Sequence, residues 1–282
     1  MAEQATNLPP VSLVISDVDG TLVNSQKLLT PRAESAAKAL GNAGIGFAIT
    51  SGRPPKGMAM LIKPLALKTP IVGFNGGIFV TPEMRVIEKH VLAPKAAKSA
   101  ANIILKSGAD AWVYTDTEWL VRDPNAPHVG HEQWVVKFPP TVVADLAPAL
   151  DHAVKIVAVS DDHDVAAHCS ATLREELGTH ASVVQSQAYY VDVTHPNANK
   201  GVALETLSRH LGIPHERIFT IGDMQTDTLM FALSGVSVAM GNASPEVKAR
   251  ATFATESNDN DGFAKAIETY VLQRVPAETG HH

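Results

Sequence analysis

The 282-residue chain has one cysteine, Cys169, so no internal disulfide can form, which suits a reducing compartment. It has no apolar run approaching the roughly 18 residues that span a bilayer, and no membrane partner is expected. Positive charge is in deficit, since 23 Lys and Arg against 29 Asp and Glu leave a net charge of -6. That balance gives no electrostatic reason to bind nucleic acid or an anionic membrane surface. An anionic ligand would therefore need a local positive site. The chain also lacks internal repeats and low-complexity segments. Its opening, "MAEQATNLPP", carries Glu3 and has neither a basic start nor an apolar run, so it does not read as a secretory signal. A cytoplasmic location is the expectation, and the closing "GHH" reads as the remnant of an expression tag. The length and a hydrophobic content of 45% leave room for two domains with real cores.

What is present is alternation. Short apolar runs, "VSLVIS" (11–16), "IGFAIT" (45–50) and "PIVGF" (70–74), are separated by helix-like segments opening at Thr30-Pro31 and after Pro55. Thr30 suits an N-cap, Pro31 the first helical position, and Gly44 the stop. The style resumes near residue 200 with the helix "KGVALETLSRHLG", the strand "RIFTIG", a helix from about Thr226, "VSVAM", a short helix from Pro245, "TFAT", and a last helix from Gly262 to Gln273. Strand-helix-strand alternation of this kind predicts parallel βαβ units in a doubly wound α/β core.

Between the two pieces the composition shifts. Trp112, Trp119 and Trp134, with Tyr114, Tyr189 and seven of the twelve histidines, fall between Val86 and Tyr189. The expectation is a core formed by 1–85 and 190–282 and an inserted α/β domain at 86–189. Its predicted strands are "ADAWVYTD", "EWLVRD", "HAVKIVAVS" and "ASVVQ", and its predicted helices lie around 94–107 and 161–177.

The stretch "VISDVDGTL" (14–22) places two carboxylates two residues apart. Residues i and i+2 of a strand share a face, so Asp17 and Asp19 are expected to meet as like charges at the strand's end. A divalent cation, a shared proton or a catalytic role would compensate. The other polar clusters also follow strands: "TSGR" (Thr50 to Arg53), "NGG" (Asn75 to Gly77) and "GDMQTD" (Gly222 to Asp227). Strand carboxyl ends are where doubly wound sheets bind ligands.

Together these residues compose a phosphoryl-transfer site. Asp17 and Asp223 offer hard oxygen ligands suited to Mg²⁺. One Asp can attack phosphorus as a carboxylate nucleophile, and its neighbour can give a proton to the leaving oxygen and later take one from water. Ser51, with the backbone opened by Gly52, can donate to phosphate oxygens, although Thr50 beside it could compete, and Lys200 adds positive charge at a helix start. Asp227, four residues after Asp223, is expected on the same helical face, where it could orient Lys200 or a metal-bound water. Arg53, Asn75, Gly76 and Gly77 are candidates for substrate contact, and Thr21, Thr226, Asp227 and Asn242 for supporting roles.

"DVDGTL", "TSGRP", "NGG", "NKG", "GDMQTD" and "AMGNA" (Ala239 to Ala243), in this order, resemble the haloacid dehalogenase superfamily of phosphatases, and most closely its Cof-type branch with a subclass IIB α/β cap. The resemblance implies a Rossmann-like core with the cap inserted, and a Mg²⁺-dependent phosphatase acting on a small phosphorylated metabolite, a sugar phosphate or phosphorylated cofactor, through an aspartyl-phosphate. It implies Asp17 as nucleophile, Asp19 as general acid/base that ligates metal through its backbone carbonyl, Ser51 and Lys200 as phosphate binders, and Asp223 as the third magnesium ligand. The family usually writes Gly-Asp-x-x-Asn-Asp in the fourth motif, and here Thr226 replaces the Asn. A phosphotransferase of the same superfamily, or a protein that binds a phosphorylated ligand without turnover, remain alternatives, and the sequence gives no oligomeric state.

Other features have plainer readings. The glycines at 41, 44 and 46 precede a strand and mark a helix stop and turn. His163 and His168 are five apart and fail the zinc-peptidase spacing, so surface placement is expected. Cys169 has no activating neighbour and reads as a buried, inert thiol. Asp161, Asp162 and Asp164 suit the start of a helix. The tryptophans read chiefly as core of the insert, and Arg122 and His131 are polar neighbours placed to bear on substrate choice.

Overall fold

The computed structural model describes residues 9–274, and the readings made of the first eight residues and of "GHH" lie outside them. The chain divides into two units. One runs up to Ser51 and includes Met60–Ile71 and the chain from Lys200 on, and the other holds Gly52–Ala59 and Val72–Asn199.

In the first unit β1 (Leu13–Asp17) is buried along its whole length. It is followed by α1 (Pro31–Asn42), capped by the Thr30 hydroxyl, which accepts from the Ala33 N–H at 3.2 Å. Gly44, with φ of 71°, turns the chain after α1 into β2 (Gly46–Thr50). Past Ser51 the chain enters the second unit, where the expected helix after Pro55 is a single 3₁₀ turn, Pro55–Met58, and the short α2 (Ala59–Ile62) leads back into the first. β3 (Ile71–Gly73) runs from the first unit into the second, and β4 (Ile78–Val80) and β5 (Val86–Lys89) follow there in chain order.

The second unit is built on α3 (Pro94–Lys106), β6 (Asp110–Tyr114), β7 (Trp119–Val121), α4 (Val129–Val136), β8 (Thr141–Val142), α5 (Ala147–Leu150), β9 (Lys155–Val159), α6 (His163–Leu177), β10 (Ser182–Gln187) and β11 (Tyr190–Thr194). Its sheet has the order β10-β11-β9-β6-β7-β8, mostly antiparallel. Alternation sorts its faces. Ala111, Val113, Leu120, Ile156, Ala158, Val191 and Val193 pack with Ala97 and Ile104 of α3 and with Cys169 and Leu173 of α6. On the opposite parity Trp112 meets Trp119 and Tyr190 edge-on, with ring centroids 5.3 and 5.4 Å apart. Trp112 and Trp119 are thus core, whereas Trp134 on α4 is 44% exposed. His163 and His168 are exposed, Cys169 is buried with its thiol pushed up by that burial, and the Asp162 carboxylate caps α6.

The chain then returns to the first unit through α7 (Lys200–Leu211), β12 (Ile218–Gly222), α8 (Thr228–Phe231), β13 (Val236–Ala239), α9 (Pro245–Lys248), β14 (Phe253–Ala254) and α10 (Gly262–Tyr270). The last helix is shorter than expected and gives way to a 3₁₀ turn at Leu272–Arg274. The strand order here is β14-β13-β12-β1-β2, all parallel. From β1 the chain moves outward through β2 on one side, and its later strands build outward from β12 on the other. The order therefore reverses between β1 and β12, and a ligand crevice belongs at their carboxyl ends. The architecture is the doubly wound parallel α/β core expected.

One boundary differs. Residues 190–194, read as core, form β11, which pairs with both β9 and β10 in the second sheet. The strand was hidden because "YVDVT" carries Asp192 on one parity, which broke the apolar run, while Val191 and Val193 of the other parity enter the second core. At the other end, Val86 falls inside β5, which pairs with β4, and Leu92 is the residue at which the chain joins the second core.

Thr30 also donates to the Asp261 carboxylate at 2.6 Å, so one hydroxyl caps α1 and ties it to the turn that starts α10. Thr30→Ala is expected to lower stability by about 1–2 kcal/mol, with Thr30→Ser retaining most of it, as measured by denaturant unfolding.

Candidate active site

β1 ends at Asp17, and the chain leaves it through Val18-Asp19-Gly20. Gly20 has φ of 80°, and a Cβ there would run into the Asp223 carboxylate. Only glycine lets the turn pass that group. Because the strand stops at Asp17, the parity argument does not extend to Asp19. The expected like-charge pair of Asp17 and Asp19 is replaced by a different one: the Asp19 carboxylate pairs with Lys27 at 2.7 Å, and Asp17 instead faces Asp223 and Asp227, with one carboxylate oxygen of each lying within 4.8 Å of the others.

Lys200, the first residue of α7 and 2% exposed, reaches this cluster. Its Nζ donates to Asp17 Oδ1 and to Asp227 Oδ1, each at 2.5 Å. The second oxygen of Asp227 accepts from the backbone N–H groups of Asp223 (2.9 Å) and Met224 (2.8 Å). Asp223 therefore does not share a helical face with Asp227, as the spacing predicted. It lies in the loop before a 3₁₀ turn, Gln225–Asp227, and Asp227 caps that loop from within. Gly222 is required here too, since a Cβ would occupy the space of the Asp227 carboxylate. Asp223 is positioned by the Thr21 hydroxyl, which donates to Oδ1 at 2.8 Å, and by Asn242, whose amide donates to Oδ2 at 3.3 Å and to the Gly20 carbonyl at 2.9 Å.

The electrostatics follow from two buried carboxylates, Asp17 and Asp227, and the half-buried Asp223 around one buried ammonium. Burial pushes Asp17 well above the usual carboxylate range, Lys200 opposes that, and Asp227 and Asp223 add to it. Asp223 is pushed up to about 6, mainly by burial and then by Asp227. Burial would lower Lys200, but its contacts with Asp17 and Asp227 raise it above the ordinary lysine value, so it stays charged. Asp227 is committed to Lys200 and two backbone donors. Asp17 and Asp223 are then the hard oxygen donors with charge to spare, and their donor type fits a small divalent cation.

Of the remaining candidates, Ser51 is buried at the end of β2 and Thr226 is half-buried in the 3₁₀ turn. Gly52, Arg53, Asn75, Gly76 and Gly77 belong to the second unit. There Arg53 is buried and donates to the Gly57 carbonyl at 3.3 Å. Asn75 and Gly76 both have positive φ, and a Cβ on Gly76 would come within 2.7 Å of the Asn199 carbonyl oxygen. The Gly77 carbonyl accepts from the His90 N–H at 2.8 Å. The turn thus closes on Asn199, which the sequence reading quoted within "NKG" without giving it a role, and on His90, which carries no pattern of its own. Lys27 was missed for a similar reason: it reads as a loop lysine, and only the fold brings it to Asp19.

A family model described as haloacid dehalogenase-like hydrolase matches residues 14–267. Among curated proteins, an HMP-PP phosphatase of Cronobacter sakazakii is 28% identical over 83% of this chain and 85% of its own length. A 5-amino-6-(5-phospho-D-ribitylamino)uracil phosphatase of Bacillus subtilis is 27% identical over 89% of this chain and 95% of its own. Among solved structures, a haloacid dehalogenase-like hydrolase from Bacteroides thetaiotaomicron superposes with a TM-score of 0.85 at 27% identity, covering 92% of this chain and 98% of that one.

Burial, with the neighbouring Asp227 carboxylate, makes ionised Asp223 costly without metal. Folded Asp223 holds its proton up to about 6 against 3.8 ordinarily, so its ionisation opposes folding, fully above about pH 6 and not at all once pH falls below 3.8. Under chelator at neutral pH, Asp223→Asn is expected to be more stable than the parent by about 1–2 kcal/mol, allowing for partial solvent screening. The gain should shrink as pH falls through about 6, which thermal unfolding at a series of pH values checks.

Proposed function

The chain belongs to the haloacid dehalogenase-like hydrolase family and is a phosphatase, and from that premise we propose that it hydrolyses a small phosphorylated metabolite with Mg²⁺ bound, carrying the phosphoryl group on Asp17. The observation that bears most weight is the buried Asp17 carboxylate, with one oxygen held by Lys200. Fixing Oδ1 in this way leaves Oδ2 to attack phosphorus. The new Oδ2–P bond forms as the bond from phosphorus to the leaving oxygen breaks, and Asp19 gives that oxygen its proton. In the second half a water attacks phosphorus, Asp19 takes the water's proton, and the bond to Asp17 breaks with release of phosphate. The Asp19 carboxylate is held by its ion pair with Lys27 at 2.7 Å.

Asp17, Asp223 and the Asp19 backbone carbonyl are the groups assigned to hold Mg²⁺, which would neutralise the carboxylates and the charge on the phosphoryl oxygens when bound. Lys200, with Asp227 orienting it, and Ser51 with the Gly52 backbone are assigned to the phosphate. Thr21 and Asn242 hold Asp223 in place. The segment that carries the second sheet is assigned the part of a cap that selects the substrate. Arg53, Asn75, Gly76 and Gly77 are assigned to substrate contact, although the Gly76 and Gly77 contacts above also serve the turn itself. The names of the relatives, an HMP-PP phosphatase and a ribitylaminouracil-phosphate phosphatase, support a small phosphorylated metabolite as substrate.

Phosphate release by folded variants tests this reading. Asp17→Asn keeps the shape but loses the anionic nucleophile, and turnover should fall by ~10³-fold or more. Chelator should stop the parent enzyme and Mg²⁺ restore it, with Ca²⁺ a poor substitute because it takes more ligands. Near-normal turnover by Asp17→Asn, or full activity under chelator, would sink the proposal.

A further inference from the structure

Buried hydroxyls in the first unit find partners with one exception among the described residues. Ser16 donates to the Asp17 carbonyl at 2.7 Å, Thr220 pairs with Ser234 at 2.7 Å, Ser237 pairs with Thr252 at 3.2 Å, and Thr69 donates to the Phe47 carbonyl. Thr50, the last residue of β2 and 0% exposed, has a buried Oγ1 without a hydrogen-bond partner. Its place is specific. Asp17 and Thr50 are Cα partners in the parallel β1–β2 pair, so their side chains leave the sheet on the same face.

That face is the one Lys200 reaches. Phe47, of opposite parity on β2, meets Phe263 of α10 with ring centroids 5.6 Å apart, which assigns α10 to the other side of the sheet. A valine would fill the position with equal shape, the same β-branching and no unpaired group. The hydroxyl is costly as it stands, and β-branching restricts its χ1 so that it cannot readily turn elsewhere. Its neighbours are already committed: Asp17 Oδ1 and Asp227 Oδ1 take the Lys200 protons, and Asp227 Oδ2 takes two backbone donors.

We propose that Thr50 Oγ1 is a further substrate-positioning group, donating its hydrogen bond to an oxygen of the tetrahedral oxyanion that enters beside Asp17 and Lys200, and unpaired until that anion arrives. The proposal rests on the phosphatase site described above. It adds a second hydroxyl to that of Ser51 and assigns it to the phosphoryl group rather than to the leaving group.

The test uses the full chain with Mg²⁺, a small aryl phosphate as substrate and orthophosphate as the probe ligand. Thr50→Val is expected to weaken inhibition by orthophosphate about tenfold, the scale of one lost hydrogen bond to a charged acceptor, and to lower kcat/KM. Its ligand-free thermal midpoint should equal or exceed the parent's, because the mutation removes an unpaired buried group. Thr50→Ser, which keeps the hydroxyl, should recover most of the phosphate affinity. A Thr50→Val protein that binds orthophosphate and turns over like the parent overturns the proposal. So does a Thr50→Val protein that is less stable than the parent while Thr50→Ser fails to recover phosphate affinity, since that marks a packing role. A parent enzyme that neither releases phosphate nor is inhibited by it overturns the underlying site reading instead.

Discussion

One buried lysine set among two buried carboxylates, Asp17 and Asp227, and the half-buried Asp223 is the constraint on which the first unit turns. Lys200 cannot be left without Asp17 and Asp227, because an unpaired buried ammonium is costly. Nor can the three carboxylates be left with Lys200 alone, because one positive charge does not balance three negative ones. A cluster that is incompletely neutralised by its own chain is poised for a cationic partner and, through it, for an anionic ligand. The charge that would draw a divalent cation to the site also opposes its folding.

The fold explains why these four side chains meet. The strand order reverses between β1 and β12, so the carboxyl ends of those strands open onto a common crevice. Asp17 ends one strand, Asp223 follows the other, and α7 starts with Lys200. Gly20 and Gly222 then permit an approach that any side chain would block, since a Cβ at either would occupy carboxylate space. Residues more than 180 positions apart in sequence are brought into one hydrogen bond by backbone geometry rather than by local attraction.

Much of this was legible in the sequence because local rules act on it directly. Thr30-Pro31, the apolar runs and the polar clusters after strands are signals of capping, burial and switch-point chemistry, and the structure places elements where they fall. What escaped depended on tertiary pairing. Strand β11 was missed because Asp192 interrupts its pattern, yet Lys155 on the neighbouring strand pairs with that carboxylate at 2.9 Å and makes it tolerable inside a sheet. The partner of Asp19 was missed because a strand's end cannot be read to the residue, and a single residue decides whether the period-two rule still applies. Asn199 stood in the quoted "NKG" without a role, because its contribution is backbone placed against a glycine, which no side-chain pattern reports.

The fourth motif shows the same division between chemistry and scaffold. Where the family pattern usually carries an Asn, this chain carries Thr226, with a shorter side chain. The contacts that organise the loop are made by the next residue: Asp227 holds Lys200 with one oxygen and the N–H groups of Asp223 and Met224 with the other. A loop tied at both ends by one fully buried carboxylate does not need its neighbour for shape. Thr226 is half-buried in that turn, and the contacts that shape the turn run through Asp227.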